Sequence, residues 1–135
     1  MSGVGGVARP WVRKAVIQMS RYVFVFRGGA VVHKELAPAE LGAHLQKWMV
    51  WLNDLAKKGQ SEPNGTRLQL SGKTVRGASK AVTDGPFAEA KDLVTGSIVI
   101  QAATIDAATE IAKGCPIFEY DGSVEVRPVF EESRA

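Results

Sequence analysis

The chain has 135 residues, 45% apolar and 23% charged, with one cysteine and two histidines. That is one ordinary globular domain, long enough to bury a core without staples; Cys115 alone excludes an internal disulfide, and a zinc site would lack ligands unless carboxylates joined it. The net charge of +3 resides in residues 1–18, where Arg9, Arg13 and Lys14 meet no acid; the remaining 14 basic and 14 acidic side chains cancel, which leaves no basic footprint for nucleic acid.

Residues 1–20 read as an N-terminal extension. They lack the apolar core and cleavage site of a secretory signal, and no stretch approaches a membrane span. Met19 directly precedes a strong strand pattern, so two readings stand. Either Met19 is the natural start and residues 1–18 are a mis-assigned leader, or they form a genuine, loosely held arm. The intact mass of the natively expressed protein separates them. The domain is expected over 21–130, with 131–135 a short tail.

RYVFVFR at 21–27 alternates Tyr22, Phe24 and Phe26 against Val23 and Val25. Both faces are apolar, which predicts a central strand covered on both sides. A long helix is expected from Pro38 to about Lys58, with Leu41, Leu45, Trp48, Met49, Leu52, Leu55 and Ala56 as one apolar stripe. Pro38 suits its first turn and Gly59 its C-terminal cap. Short extended pieces follow near Thr66–Leu70, Lys73–Val75 and Ala81–Thr83, punctuated as hairpins by Gly72 and Gly77. TDGPFAEAKD at 83–92 turns the chain through Asp84-Gly85-Pro86. A strand over Thr95–Ala103 leads to a helix capped by Thr104 and ended by Gly114 and Pro116. Ser123–Phe130 closes the pattern as a strand with one wetter face.

This order predicts an α+β, ferredoxin-like split βαβ domain: an antiparallel sheet with two helices on one face. The second apolar face of the first strand then predicts a homodimer with sheets face to face.

His44 is the titratable group of most interest. It lies roughly 80° from the centre of the helical stripe, counting about 100° per residue, and shares an edge with Trp48 and Trp51. That is a wet boundary where an acid–base group can meet a small apolar substrate; packing at a sheet edge is the plainer reading. Asp54 lies ten residues on and roughly 15 Å along the axis, too far to be its partner. Asp84 remains, brought near by tertiary structure or across a dimer, although it also suits a turn by bonding its own backbone. Phe87 walls a pocket or fills core. Glu89 and Lys91, two apart in an extended segment, bind a ligand or pair in solvent. His33 is expected in an exposed loop without a partner, and Cys115 as a buried structural thiol. No P-loop, dinucleotide fingerprint or GxSxG motif is present, so no cofactor is expected.

RYVFVFRGG, AHLQKWMVWL, VTDGPFAEAKD, AKGCP and GSVEVRPV, in that order, resemble the DGPF family of YCII-related proteins from about Arg21 to Val129. The resemblance implies a dimeric α/β-barrel, in which two ferredoxin-like sheets enclose a shared interior. With the lone Cys115 fitting a reducing cytoplasm, the resemblance implies a protein that binds a small organic molecule, with catalytic candidates His44 and Asp84 in cofactor-independent isomerisation or elimination. Trp48, Trp51, Phe87 and Lys91 would contact substrate. The alternative it implies is a non-catalytic sensing or accessory module linked to sigma-factor transcription. A third reading is a dimer whose activity was lost.

Overall fold

A computed structural model describes residues 18–63, 65–85 and 89–131. The extension up to residue 17, Phe87 and the end of the tail therefore lie outside the described residues. The elements in chain order are β1 (Ser20–Arg27), α1 (Pro38–Lys57), β2 (Thr66–Arg67), β3 (Lys73–Arg76), β4 (Ala81–Asp84), β5 (Val94–Ala102), α2 (Ile105–Ala112) and β6 (Ser123–Pro128). Short 3-10 turns occupy Ala30–Val32, Ala90–Asp92 and Pro116–Tyr120.

The fold is the expected ferredoxin-like α+β arrangement. An antiparallel sheet runs in the order β2-β5-β1-β6, and β3 and β4 form a separate hairpin. Register places Tyr22 opposite Ile100, and Phe24 between Ile98 and Val126. Because side chains alternate along a strand, Tyr22, Phe24, Phe26, Ile98, Ile100 and Ala102 share one face. Ala108 and Ala112 of α2 join that core, and Trp48, Trp51 and Leu52 of α1 pack against it. Both helices thus cover the same side of the sheet.

Local chemistry sets the element ends. The Glu40 carboxylate accepts from the Ala37 N–H at 3.0 Å, satisfying a donor at the start of α1. At the other end Gln60 N–H reaches Leu55 O, and Gly59 N–H reaches Ala56 O, with Gly59 at φ +69°. This is the Schellman termination that glycine favours. In α2, Thr104 Oγ1 accepts from Ala107 N–H at 3.0 Å.

One expectation is corrected in detail. The buried face of α1 is rotated toward His44, Trp48, Trp51 and Leu55, leaving Leu41, Leu45 and Met49 exposed. Phe24 and Phe26 cause this by drawing the two tryptophans onto the sheet: Phe26 meets Trp48 edge-on at 5.1 Å and Phe24 stacks on Trp51 at 6.4 Å. Among the described residues, the opposite face of β1 is only partly covered. Val23, Val25 and Val99 there are half-buried.

Gly96 sets the sheet edge. A Cβ at this position would lie 2.6 Å from the Thr66 carbonyl oxygen, inside the backbone pair that joins β2 to β5. Gly96→Ala is expected to destabilise by about 1–3 kcal/mol and to speed amide exchange at Leu68, which bonds Thr95 O. Denaturation by urea checks the first effect, and a variant as stable as the wild type would contradict it.

Candidate functional site

His44 projects from the second turn of α1 into the space under the Pro116–Tyr120 turn. It is 2% exposed, so the expected wet boundary is corrected to a buried position. Its Nδ1 lies 2.7 Å from Glu119 Oε1, and its Nε2 lies 3.0 Å from Trp48 Nε1. An indole nitrogen can only donate, so Nε2 must be the accepting nitrogen and Nδ1 must carry the proton toward Glu119. The pair of contacts specifies one neutral tautomer and occupies both ring nitrogens. The ring also meets Tyr120 edge-on at 4.7 Å.

The chain of contacts continues outward. Glu119 Oε2 accepts from the Lys47 ammonium, completing a path from Trp48 through His44 and Glu119 to Lys47. The Lys47 ammonium, with the His44 hydrogen bond adding to it, holds the Glu119 carboxyl below the usual carboxylate range. Glu119 is only partly covered, so its charge meets solvent. It borders an open groove of about 680 Å³ between α1 and the Gly114–Glu119 segment, walled also by Lys47, Val50, Trp51 and Pro116. Gly114 permits that wall, since a Cβ there would stand 3.2 Å from Trp51 Nε1.

The expected site residues separate. His44, Trp48 and Trp51 come together, with Trp48 and Trp51 meeting edge-on at 5.8 Å. Asp84 sits at the end of the β3–β4 hairpin, where it accepts from Lys73 at 2.7 Å, while the carboxylate on His44 belongs to Glu119. Asp54 pairs with Lys58. Lys91 and Glu89 lie exposed at the Ala90–Asp92 turn, which replaces the expected extended geometry. Phe87 lies outside the described residues. Cys115 is the buried thiol expected, and burial pushes its pKa up to about 12.

His33 corrects its expectation as a partnerless histidine. Its Nδ1 meets Glu35 Oε2 and its Nε2 meets Tyr120 O, both at 3.0 Å. Two acceptors favour the doubly protonated ring. The Glu35 hydrogen bond, aided by the Tyr120 carbonyl and opposed by partial burial, raises the His33 pKa above its ordinary value. The two histidines therefore grip consecutive residues of one turn, His44 at Glu119 and His33 at the Tyr120 carbonyl.

Stability linked to His33 should be full below about pH 6.5, the ordinary histidine value, and fade as pH rises through its higher folded value. Glu119 acts in reverse. Its contribution is present above about pH 4.3 and lost as pH falls through its lowered folded value. A thermal unfolding series should show wild-type stability declining above about pH 6.5 more steeply than that of His33→Ala. Equal slopes would contradict the clamp.

Sequence reasoning missed Glu119 and Tyr120. They occupy a five-residue turn too short for periodicity, and Glu119 is 75 positions from His44. An acid beside an aromatic, just after the helix-ending Gly-Cys-Pro, was the available signal.

Among the described residues, no cluster of three or more His, Cys, Asp or Glu could hold a metal ion, and no helix is long and apolar enough to cross a membrane. A search of curated proteins found no match. The family model described as the YCII-related domain matches residues 29–133, most of the chain and all of the site from His33 to Tyr120, and the protein belongs to that family.

Proposed function

We propose that this protein is a cytoplasmic, dimeric α/β-barrel member of the family that binds a small organic molecule in the groove between α1 and the Gly114–Glu119 segment. The observation that carries the proposal is the Lys47–Glu119 ion pair at the border of a groove with Trp51, Val50 and Pro116 as apolar walls. Such a site suits an amphipathic molecule: the apolar body lies on the indole, and a polar head exchanges with one member of the ion pair. His44 is a positioning residue here. It fixes the Glu119 carboxylate from below, and its own Nε2 is closed off by Trp48.

This favours binding over the acid–base pairing of His44 with Asp84. For His44 to take a substrate proton, the Trp48 indole would have to leave Nε2 and the buried ring would have to be opened to the substrate. Isomerisation or elimination at the groove would more simply use Glu119, the carboxylate that faces it. The sensing or sigma-factor accessory role shares the binding step and differs in leaving the ligand unchanged.

A thermal-shift screen of small metabolites tests the proposal on wild type, Val50→Glu and Glu119→Gln. A ligand present at about 100 times its Kd adds about 2.7 kcal/mol of stability. The expected result is a metabolite that raises the wild-type Tm and leaves both variants unmoved. Hits that stabilise all three proteins equally would place binding elsewhere and overturn the groove assignment. Mass spectrometry of the bound hit after incubation then separates turnover from sensing.

A further inference from the structure

We infer that the groove between α1 and the Gly114–Glu119 segment takes an organic cation, an ammonium or guanidinium on an apolar body, whose head displaces the Lys47 ammonium from Glu119. The inference rests on the groove reading proposed above and adds the charge of its ligand.

The two members of the Lys47–Glu119 pair are held differently. Glu119 is anchored from the interior, where His44, 2% exposed, reaches its Oε1 at 2.7 Å through the ring nitrogen that carries the proton. His33 pins the next residue at the Tyr120 carbonyl, so the carboxylate is fixed on both counts. Lys47 is 58% exposed and, among the described residues, its ammonium contacts Glu119 alone. Its long stem lets it swing into solvent. An entering ligand therefore exchanges with the lysine and meets a fixed negative charge. Exposed ion pairs contribute little, so a cation that also buries apolar surface in the groove outcompetes this one.

The rest of the groove agrees in sign. Among the described residues that line it, Lys47 is the one cation, against the carboxylates of Glu119 and Asp54. Lys47, Trp51 and Asp54 recur at helical spacing on one face of α1, which sets Asp54 about 10 Å along the axis from Lys47 with the indole between them. Asp54 is held only by Lys58, in an exposed bridge of its own helix. An indole attracts an ammonium or guanidinium over its ring, the more so where water is excluded. With Lys47 displaced, these walls would repel a carboxylate or phosphate.

Three probes that share an apolar body and differ in the charge of the head test this: 2-phenylethylamine, 2-phenylethanol and 3-phenylpropionate. Each is titrated at neutral pH into the wild type, Glu119→Gln and Lys47→Met, with the Trp51 indole N–H followed by NMR. Glutamine keeps an acceptor for His44, and Lys47 is exposed, so both variants should fold; if Glu119→Gln does not, Lys47→Met decides. The expected result is that only the amine shifts the Trp51 signal. Glu119→Gln should weaken it at least tenfold, and Lys47→Met should tighten it at least threefold by removing the competing ammonium. Propionate that binds the wild type and is lost in Lys47→Met would leave the groove standing and overturn the cation. So would an alcohol that binds as well as the amine, or an amine indifferent to both substitutions. If none of the three shifts the signal up to about 10 mM, a range that registers even millimolar affinity, the cation and the groove are both overturned.

Discussion

His44→Ala is expected to destabilise the protein by about 3–4 kcal/mol, a core-sized effect for a polar residue. Three losses combine. The ring leaves a void under Tyr120, the Trp48 N–H loses its acceptor, and Glu119 keeps only Lys47 as a side-chain donor. Trp48→Phe removes one of these alone. It keeps aromatic contact with Phe26 while leaving His44 Nε2 without a donor, for about 1–2 kcal/mol. Since both changes break the same bond, their combination should fall short of the sum, by about 1 kcal/mol. Urea denaturation of the two single variants and the double variant measures all of this. A solvent-facing general base would behave differently, because exposed substitutions are usually within about 0.5 kcal/mol of neutral. A loss below that figure for His44→Ala would contradict the buried placement.

Phe24→Ala should be comparably severe, at about 3–5 kcal/mol. Phe24 is fully buried at the centre of β1, between Ile98 of β5 and Val126 of β6, with Trp51 stacked above it. The cavity would open where sheet and α1 meet, and backbone pairing on both sides of β1 prevents the strand from collapsing into it. The consequence reaches the groove, because Trp51 forms its wall. The variant should therefore lose affinity for any groove ligand as well as stability, whereas a surface change of equal charge would do neither. Calorimetry should show a fall of about 4 °C in Tm for each kcal/mol lost in a domain of this size. A Tm within about two degrees of wild type would contradict the packing described.

Much of the fold is legible in the amino-acid sequence. The alternation of Tyr22, Phe24 and Phe26, the Pro38 start and Gly59 end of α1, and the Thr104 cap each specify local structure through chemistry within a few residues. Less legible was which edge of the α1 stripe turns inward. Leu41, Leu45 and Met49 have the same periodicity as Trp48 and Leu52. Only the distant aromatics of β1 and the Pro116–Tyr120 turn decide between them. The site suffered most from this. A rotation of the helix moves His44 from rim to interior, and its carboxylate partner comes from a short irregular segment that periodicity does not describe. Asp84, prominent in TDGPFAEAKD, is engaged by Lys73 in a hairpin of its own.

The central claim is that His44 is a locked positioning group for Glu119. Long-range nitrogen–proton NMR of the imidazole at neutral pH tests it most directly, because the spectrum distinguishes the two neutral tautomers. The account predicts a single Nδ1–H form for His44, with Nε2 unprotonated and its pattern altered in Trp48→Phe. An Nε2–H tautomer, or a spectrum indifferent to the loss of the indole, would contradict it.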